Sequence, residues 1–183
     1  MPPYVPQLIY MYTGSLLHLA RRNTWHLSLV PKTFGDTKIH YFQFRILHRI
    51  IGVNTLLYKM KIISSPMCTF CKSHDETIEH LFWHCPFVKS FWNNSSRLIL
   101  KEPFDFDEGS ILFGYTPNVA HPINFFILHG KYYVYSCKLN NCLPKANAFY
   151  FNFSFAIRVE LYILKNRGTE RSEALKNFFH FSD

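Results

Sequence analysis

The sequence predicts a mainly α-helical protein: a small helical domain organised around a Cys-Cys-His-Cys, zinc-knuckle-like site, with a helical extension C-terminal to it. Three observations carry this expectation. Apolar residues recur at helical spacing over 37–51. Three cysteines and a histidine fall between Cys68 and Cys85 at finger-like spacing. Proline and glycine at Pro66, Pro103, Gly109, Gly114, Pro117, Pro122, Pro144 and Gly168 divide the rest into helix-length pieces.

Residues 4–20 are apolar with helical character, and Pro6 suits a first turn. Trp25 to Val30 is a short amphipathic piece, and 31–36 reads as a loop ending in Gly35 and Asp36. The clearest helix is 37–51, with Thr37 able to cap it. Ile39, Phe42, Ile46 and Ile50 form one apolar stripe; Phe44, Leu47 and Ile51 form a second. Between them run Lys38, Tyr41, Arg45, His48 and Arg49 with no acid, so the helix should show the outside a narrow basic ridge. Gly52 and Asn54 should stop it.

A further short helix is expected at 55–63, ended by Ser64, Ser65 and Pro66, and another at 87–100. Residues 101–122 read as an acidic linker, with Glu102, Asp105, Asp107 and Glu108 among prolines and glycines. Residues 123–139 read as a helix with Lys131, Tyr135 and Lys138 on one face. Residues 147–165 are ambiguous. Phe151, Phe153, Phe155, Ile157, Val159, Leu161 and Ile163 alternate as in a strand, but the length suits a helix, and helix is the preferred reading. Gly168 is a natural stop, with a last short helix at 170–180. The expected segments are therefore 1–36, 37–100 with the basic helix and zinc module, the linker 101–122, and 123–183.

Composition narrows the function. A hydrophobic fraction of 48% excludes wholesale disorder, and the 19 phenylalanines must be buried, stacked on a ligand or covered by a partner. Residues 1–74 hold nine Lys or Arg and one acid, Asp36, so the whole net charge of +8 sits there. A one-sided positive region favours a polyanion. No apolar run approaches the roughly 18 residues that span a bilayer, and Met1-Pro2-Pro3 does not open a signal peptide. Neither a membrane nor a small-molecule substrate is expected. Five cysteines, three of them clustered with histidines, read as metal binding in a reducing, intracellular setting.

Cys68-Thr-Phe-Cys71 forms a tight turn that presents two thiolates to one metal, and His80 and Cys85 complete a tetrahedron. Three thiolates and an imidazole suit zinc. Asp75 can cap a short helix, with Glu76 and Glu79 in its first turn. Positions five apart on an α-helix point about 140° apart, which would separate His80 from Cys85. Pro86 pushes Cys85 out of the helical region and lets it fold back. His74 and His84 are rivals for the imidazole position. Cys137 and Cys142 lack a histidine at such spacing and read as ordinary thiols. Four protein ligands leave no open position, so the metal is expected to be structural.

These residues carry a resemblance. The run Phe42-Gln-Phe-Arg45-Ile-Leu-His48-Arg49-Ile is followed by Asn54, Leu56-Leu57, Cys68-x2-Cys71, Glu76-Thr-Ile-Glu79-His80-Leu-Phe-x-x-Cys85-Pro86 and Phe91-Trp92. It resembles the zinc-binding domain that follows the reverse transcriptase of non-LTR (LINE-type) retrotransposons. The match is specific over 38–92, weaker at Ile111-Leu-Phe-Gly114 and over Leu128 to Leu139, and slight over 1–30. The resemblance implies zinc at Cys68, Cys71, His80 and Cys85, and a nuclear segment that helps hold RNA or target DNA during target-primed reverse transcription. It also implies the reverse transcriptase domain of a parent polyprotein as a partner. No polymerase Asp-Asp pair or endonuclease is recognisable, so the resemblance implies a fragment or a degenerate copy.

The expected function is a zinc-stabilised RNA- or DNA-binding module of low sequence specificity, not an enzyme. Its expected contacts are Lys38, Tyr41, Arg45, His48, Arg49, Lys59, Lys61 and Lys72, because basic residues mixed with aromatics contact phosphates and stack bases. Phe70, inside the metal turn, either stacks on unpaired RNA or packs against the zinc helix. The alternative is a structural or interaction domain, with the 147–163 aromatics docking on a polymerase. A nuclease remnant would use the 102–108 acids with Lys131, although clustered acids in such a loop are usually just solvated.

Overall fold

The computed structural model describes residues 37–115, 121–166 and 171–180. The segments expected at 4–20 and 25–30, and the stop at Gly168, lie outside them. Seven helices follow one another in the described residues: α1 (Thr37–Leu47), α2 (Asn54–Lys59), α3 (Pro86–Ile99), α4 (Glu108–Phe113), α5 (Pro122–Leu139), α6 (Ala146–Asn166) and α7 (Arg171–Phe178). A π-helical turn, His80–His84, stands between α2 and α3. Extended pairing among these residues is limited to two isolated bridges, Met67 with Asp75 and Leu100 with Phe179.

α1 ends four residues earlier than the apolar pattern predicts. Gly52 does not stop it; Arg49 does, with a left-handed backbone at φ 56°. The Arg49 N–H bonds the Ile46 carbonyl at 3.0 Å and the Ile50 N–H bonds the Arg45 carbonyl at 2.9 Å. This pair of bonds is the Schellman closure, which satisfies carbonyls the helix leaves open. Ile39, Phe42 and Ile46 are buried as expected. The second stripe is not uniformly inside: Phe44 is exposed, and Gln43 is buried beside the first stripe.

α5 lies at the centre, with α1, α6 and α7 packed on it. It is buried on nearly every side, from Ile123 to Lys138. The face carrying Lys131, Tyr135 and Lys138 therefore points into the protein. Trp92 of α3 lies against Gly130, where a Cβ would come within 2.5 Å of the indole ring. Its Nε1–H donates to the Phe82 carbonyl at 2.9 Å. Phe42 of α1 meets Phe82 edge-on, with ring centroids 6.2 Å apart. One buried cluster runs from Phe42 to Phe179, so the chain on both sides of 101–122 shares a core. Within 101–122, α4 is closed by a reciprocal capping box between Asp107 and Ser110.

The alternation in 147–165 resolves as helix α6. Phe149, Phe153, Ile157, Glu160 and Leu164 are buried, while Phe151, Phe155, Val159 and Tyr162 face outward. Two helical stripes on opposite sides mimic strand periodicity when read along the chain.

Candidate metal centre

Cys68, Cys71, His80 and Cys85 converge, with one donor atom from each lying within 4.8 Å of the others. Cys68 Sγ and Cys85 Sγ are 3.9 Å apart, and Cys71 Sγ and His80 Nε2 are 3.3 Å apart. A tetrahedral zinc with bonds of about 2.3 Å to sulfur and about 2.0 Å to nitrogen needs edges of about 3.8 and 3.5 Å. The donor set fits a zinc ion in chemistry and in span. Four protein donors fill the tetrahedron, so the ion's chemistry here is to crosslink the turn.

Local structure explains the convergence. His80 to His84 winds as a π-helix, and the Cys85 N–H bonds the His80 carbonyl at 2.8 Å. That i→i+5 bond brings positions five apart together, where an α-helix would splay them. Cys85 then turns to φ −61°, ψ 126° before Pro86, as the residue preceding a proline should. The cap expected at Asp75 belongs to Thr77, whose hydroxyl accepts the His80 N–H at 3.0 Å. Asp75 is instead held in the bridge to Met67.

Hydrogen bonding and burial divide the three thiols. A hydrogen bond to Cys85, reinforced by burial, pushes the Cys68 thiol well up. The same bond lowers Cys85, with burial opposing and the Val88 N–H assisting. Burial raises Cys71, but hydrogen bonds from Ser73 and His80 outweigh it and leave it below the ordinary thiol value. His84 faces away, with Nε2 3.4 Å from Glu108 of α4. His74 is exposed; its ring stacks on that of His80 at 5.5 Å.

Glu76, read from the sequence only as a first-turn acid, is fully buried and ties the knuckle together. Its carboxylate accepts the Thr69 N–H at 2.7 Å and the Asn54 N–H at 3.0 Å, and stands 3.3 Å from Lys138 Nζ. Asn54 Nδ2 donates to the Met67 carbonyl at 2.7 Å, while its Oδ1 accepts from Lys138 at 3.0 Å. The knuckle is thus fastened to α2 and to α5. No local signal marked this, because the partners are up to 84 residues apart.

The expected basic contacts are partly brought together. Lys38, Tyr41, His48 and Arg49 are exposed and Arg45 is half-buried. Tyr41 stacks on Phe44 at 6.3 Å, and Phe44 lies 4.1 Å from the His48 ring. Lys59, at the end of α2, and Lys61 and Lys72, on turns, are exposed around the knuckle. Arg49 has no acid on its own helix, but Glu79 of the knuckle reaches across and pairs with it. Burial disfavours the Glu79 carboxylate, but that guanidinium outweighs it and holds the carboxyl below its usual range. Phe70 is 8% exposed and packs in the core, so it offers no stacking face.

Two of the 102–108 acids, Asp107 and Glu108, have structural work. Asp107 caps α4, where hydrogen bonds from Ser110 keep its carboxyl low, and Glu108 meets His84. Lys131 is 1% exposed and donates to Gln43 Oε1 at 2.6 Å and to the Leu112 carbonyl at 3.1 Å. No helix among the described residues is long and apolar enough to cross a membrane.

Fold and site together define a helical domain built on a structural zinc knuckle. Residues 11–92 match the family described as zinc-binding in reverse transcriptase. Over this stretch the chain is similar to a zinc-binding, reverse-transcriptase-associated domain. No curated protein and no solved structure matches the chain.

Proposed function

We propose that this chain is a nucleic-acid-binding accessory module of a non-LTR-type reverse transcriptase, working in the nucleus beside the polymerase of its parent polyprotein. Zinc on Cys68, Cys71, His80 and Cys85 fixes the knuckle against α1. Lys38, Tyr41, Arg45, His48, Lys59, Lys61 and Lys72 then contact the backbone of RNA or DNA. The observation that carries this reading is charge: 37–74 holds six Lys or Arg and no Asp or Glu. Glu79 pairs with Arg49 of that stretch. Contacts of this kind hold phosphates without reading bases.

The test is a salt titration of binding to duplex and single-stranded RNA and DNA. Each phosphate neutralised adds about 0.9 to the salt slope on duplex DNA and about 0.7 on single strands. Arg45→Gln with Lys61→Gln should weaken binding to every sequence alike and lower the duplex slope by up to about 1.8. An unchanged slope in a folded variant would overturn the reading.

A further inference from the structure

Helix α6 turns three aromatic rings to the outside: Phe151 is 71%, Phe155 72% and Tyr162 69% exposed. Their spacing of four and seven residues puts them on one face, about 6 and 10 Å apart along the axis. Arg158 and Lys165, both exposed, run along one edge of this face. From residue 109 to residue 166 the only carboxylate is Glu160, which is 4% exposed and lies on the opposite side of α6. The neighbouring α3 also carries cations, Lys89 and Arg97, and no acid. On α7 one exposed acid, Glu173, is balanced by Lys176. Summing charge over everything after residue 74 hides this region, because the acids there concentrate at 75–79 and 102–108.

We propose that the outer face of α6 is a second binding surface, specific for single-stranded nucleic acid. Unpaired bases stack on Phe151, Phe155 and Tyr162, and Arg158 and Lys165 hold the flanking phosphates. Stacking requires rings and cations together, and duplex DNA offers no free base faces. An apolar protein partner would gain nothing from an acid-free surround. The surface stands independently of the α1 ridge.

The test uses fluorescein-labelled oligo(dT)20, oligo(rU)20 and a 20-base-pair duplex in anisotropy titrations. Replacing Phe151, Phe155 and Tyr162 together by Leu keeps apolar volume and removes the rings; circular dichroism checks the fold. Single-strand affinity should fall tenfold or more while duplex affinity changes less than twofold. Arg45→Gln with Lys61→Gln should weaken both, and its failure would count against the ridge alone. Three results overturn the proposal: a native chain that binds neither oligonucleotide, a triple variant that binds single strands normally, or one that loses duplex binding equally. A native dimer in sedimentation equilibrium that becomes monomeric in the triple variant would assign the face to protein contact instead.

Discussion

At the scale of single residues, the buried polar groups decide most. Glu76 and Lys138 are 0% and 6% exposed at their side chains, and neither has another charge at hand in the described residues. Removing one member of such a pair strands the other in a poor solvent. Glu76→Gln should therefore cost about 3 kcal/mol in urea unfolding of the zinc-loaded protein, and adding Lys138→Met should recover much of it. A Glu76→Gln protein as stable as the native chain would remove the pair from this account. Lys131 poses the opposite case, a buried amine with only neutral acceptors, Gln43 and a carbonyl. Burial lowers its pKa to about 7 from the ordinary 10.5. The unfolded chain then binds the proton more readily than the folded one between those values. Folding stability should rise with pH from about 7 towards 10.5, by at most about 1.4 kcal/mol per unit from this group. Lys131→Met should flatten that rise relative to the native protein; parallel stability curves for the two would refute it.

At the scale of elements, two close approaches hold the site in place. The π-turn lets His80 and Cys85 share a centre, and Trp92 anchors that turn through its bond to Phe82. Trp92 in turn needs a bare Gly130 on α5. Alanine favours a helix by about 1 kcal/mol over glycine, yet its methyl would overlap an indole that is 1% exposed and hydrogen-bonded. Overpacking costs about 1–3 kcal/mol, so Gly130→Ala should lower Tm by several degrees. Gly109→Ala in α4 meets only Asp107 Oδ1, at 3.5 Å, and should not. Equal Tm changes in the two variants would contradict the packing.

At the scale of the whole molecule, the question is whether the knuckle folds alone. Cys68, Phe82 and Cys85 belong to the same buried cluster as Phe149, Phe153 and Phe179. Stripping the metal with a chelator should therefore destabilise the entire body, because the binding energy of a structural zinc is folding energy. Hydrogen exchange should show protection lost at α6 as well as at 68–85. Full protection of α6 after zinc removal would make 37–100 and 123–183 separate units.

The sequence by itself determined what depends on near neighbours. Cys68-x2-Cys71 and the Pro86 after Cys85 announce a metal turn because chelation and proline sterics act over a few bonds. The 3.6-residue period revealed α1, α3 and α5, and the length of 147–165 identified α6 against its strand-like alternation. Only the tertiary structure decided which polar side chains lie inside and which charges meet. Glu79 reaches Arg49 across 30 residues, and Lys138 reaches Asn54 across 84. Phe70 lies inside, while Phe151 and Phe155 lie at the surface. A period shows that a helix has faces; which face water sees depends on what packs against it. Burial and pairing are set by contacts between segments distant in the chain, and local spacing carries no information about them.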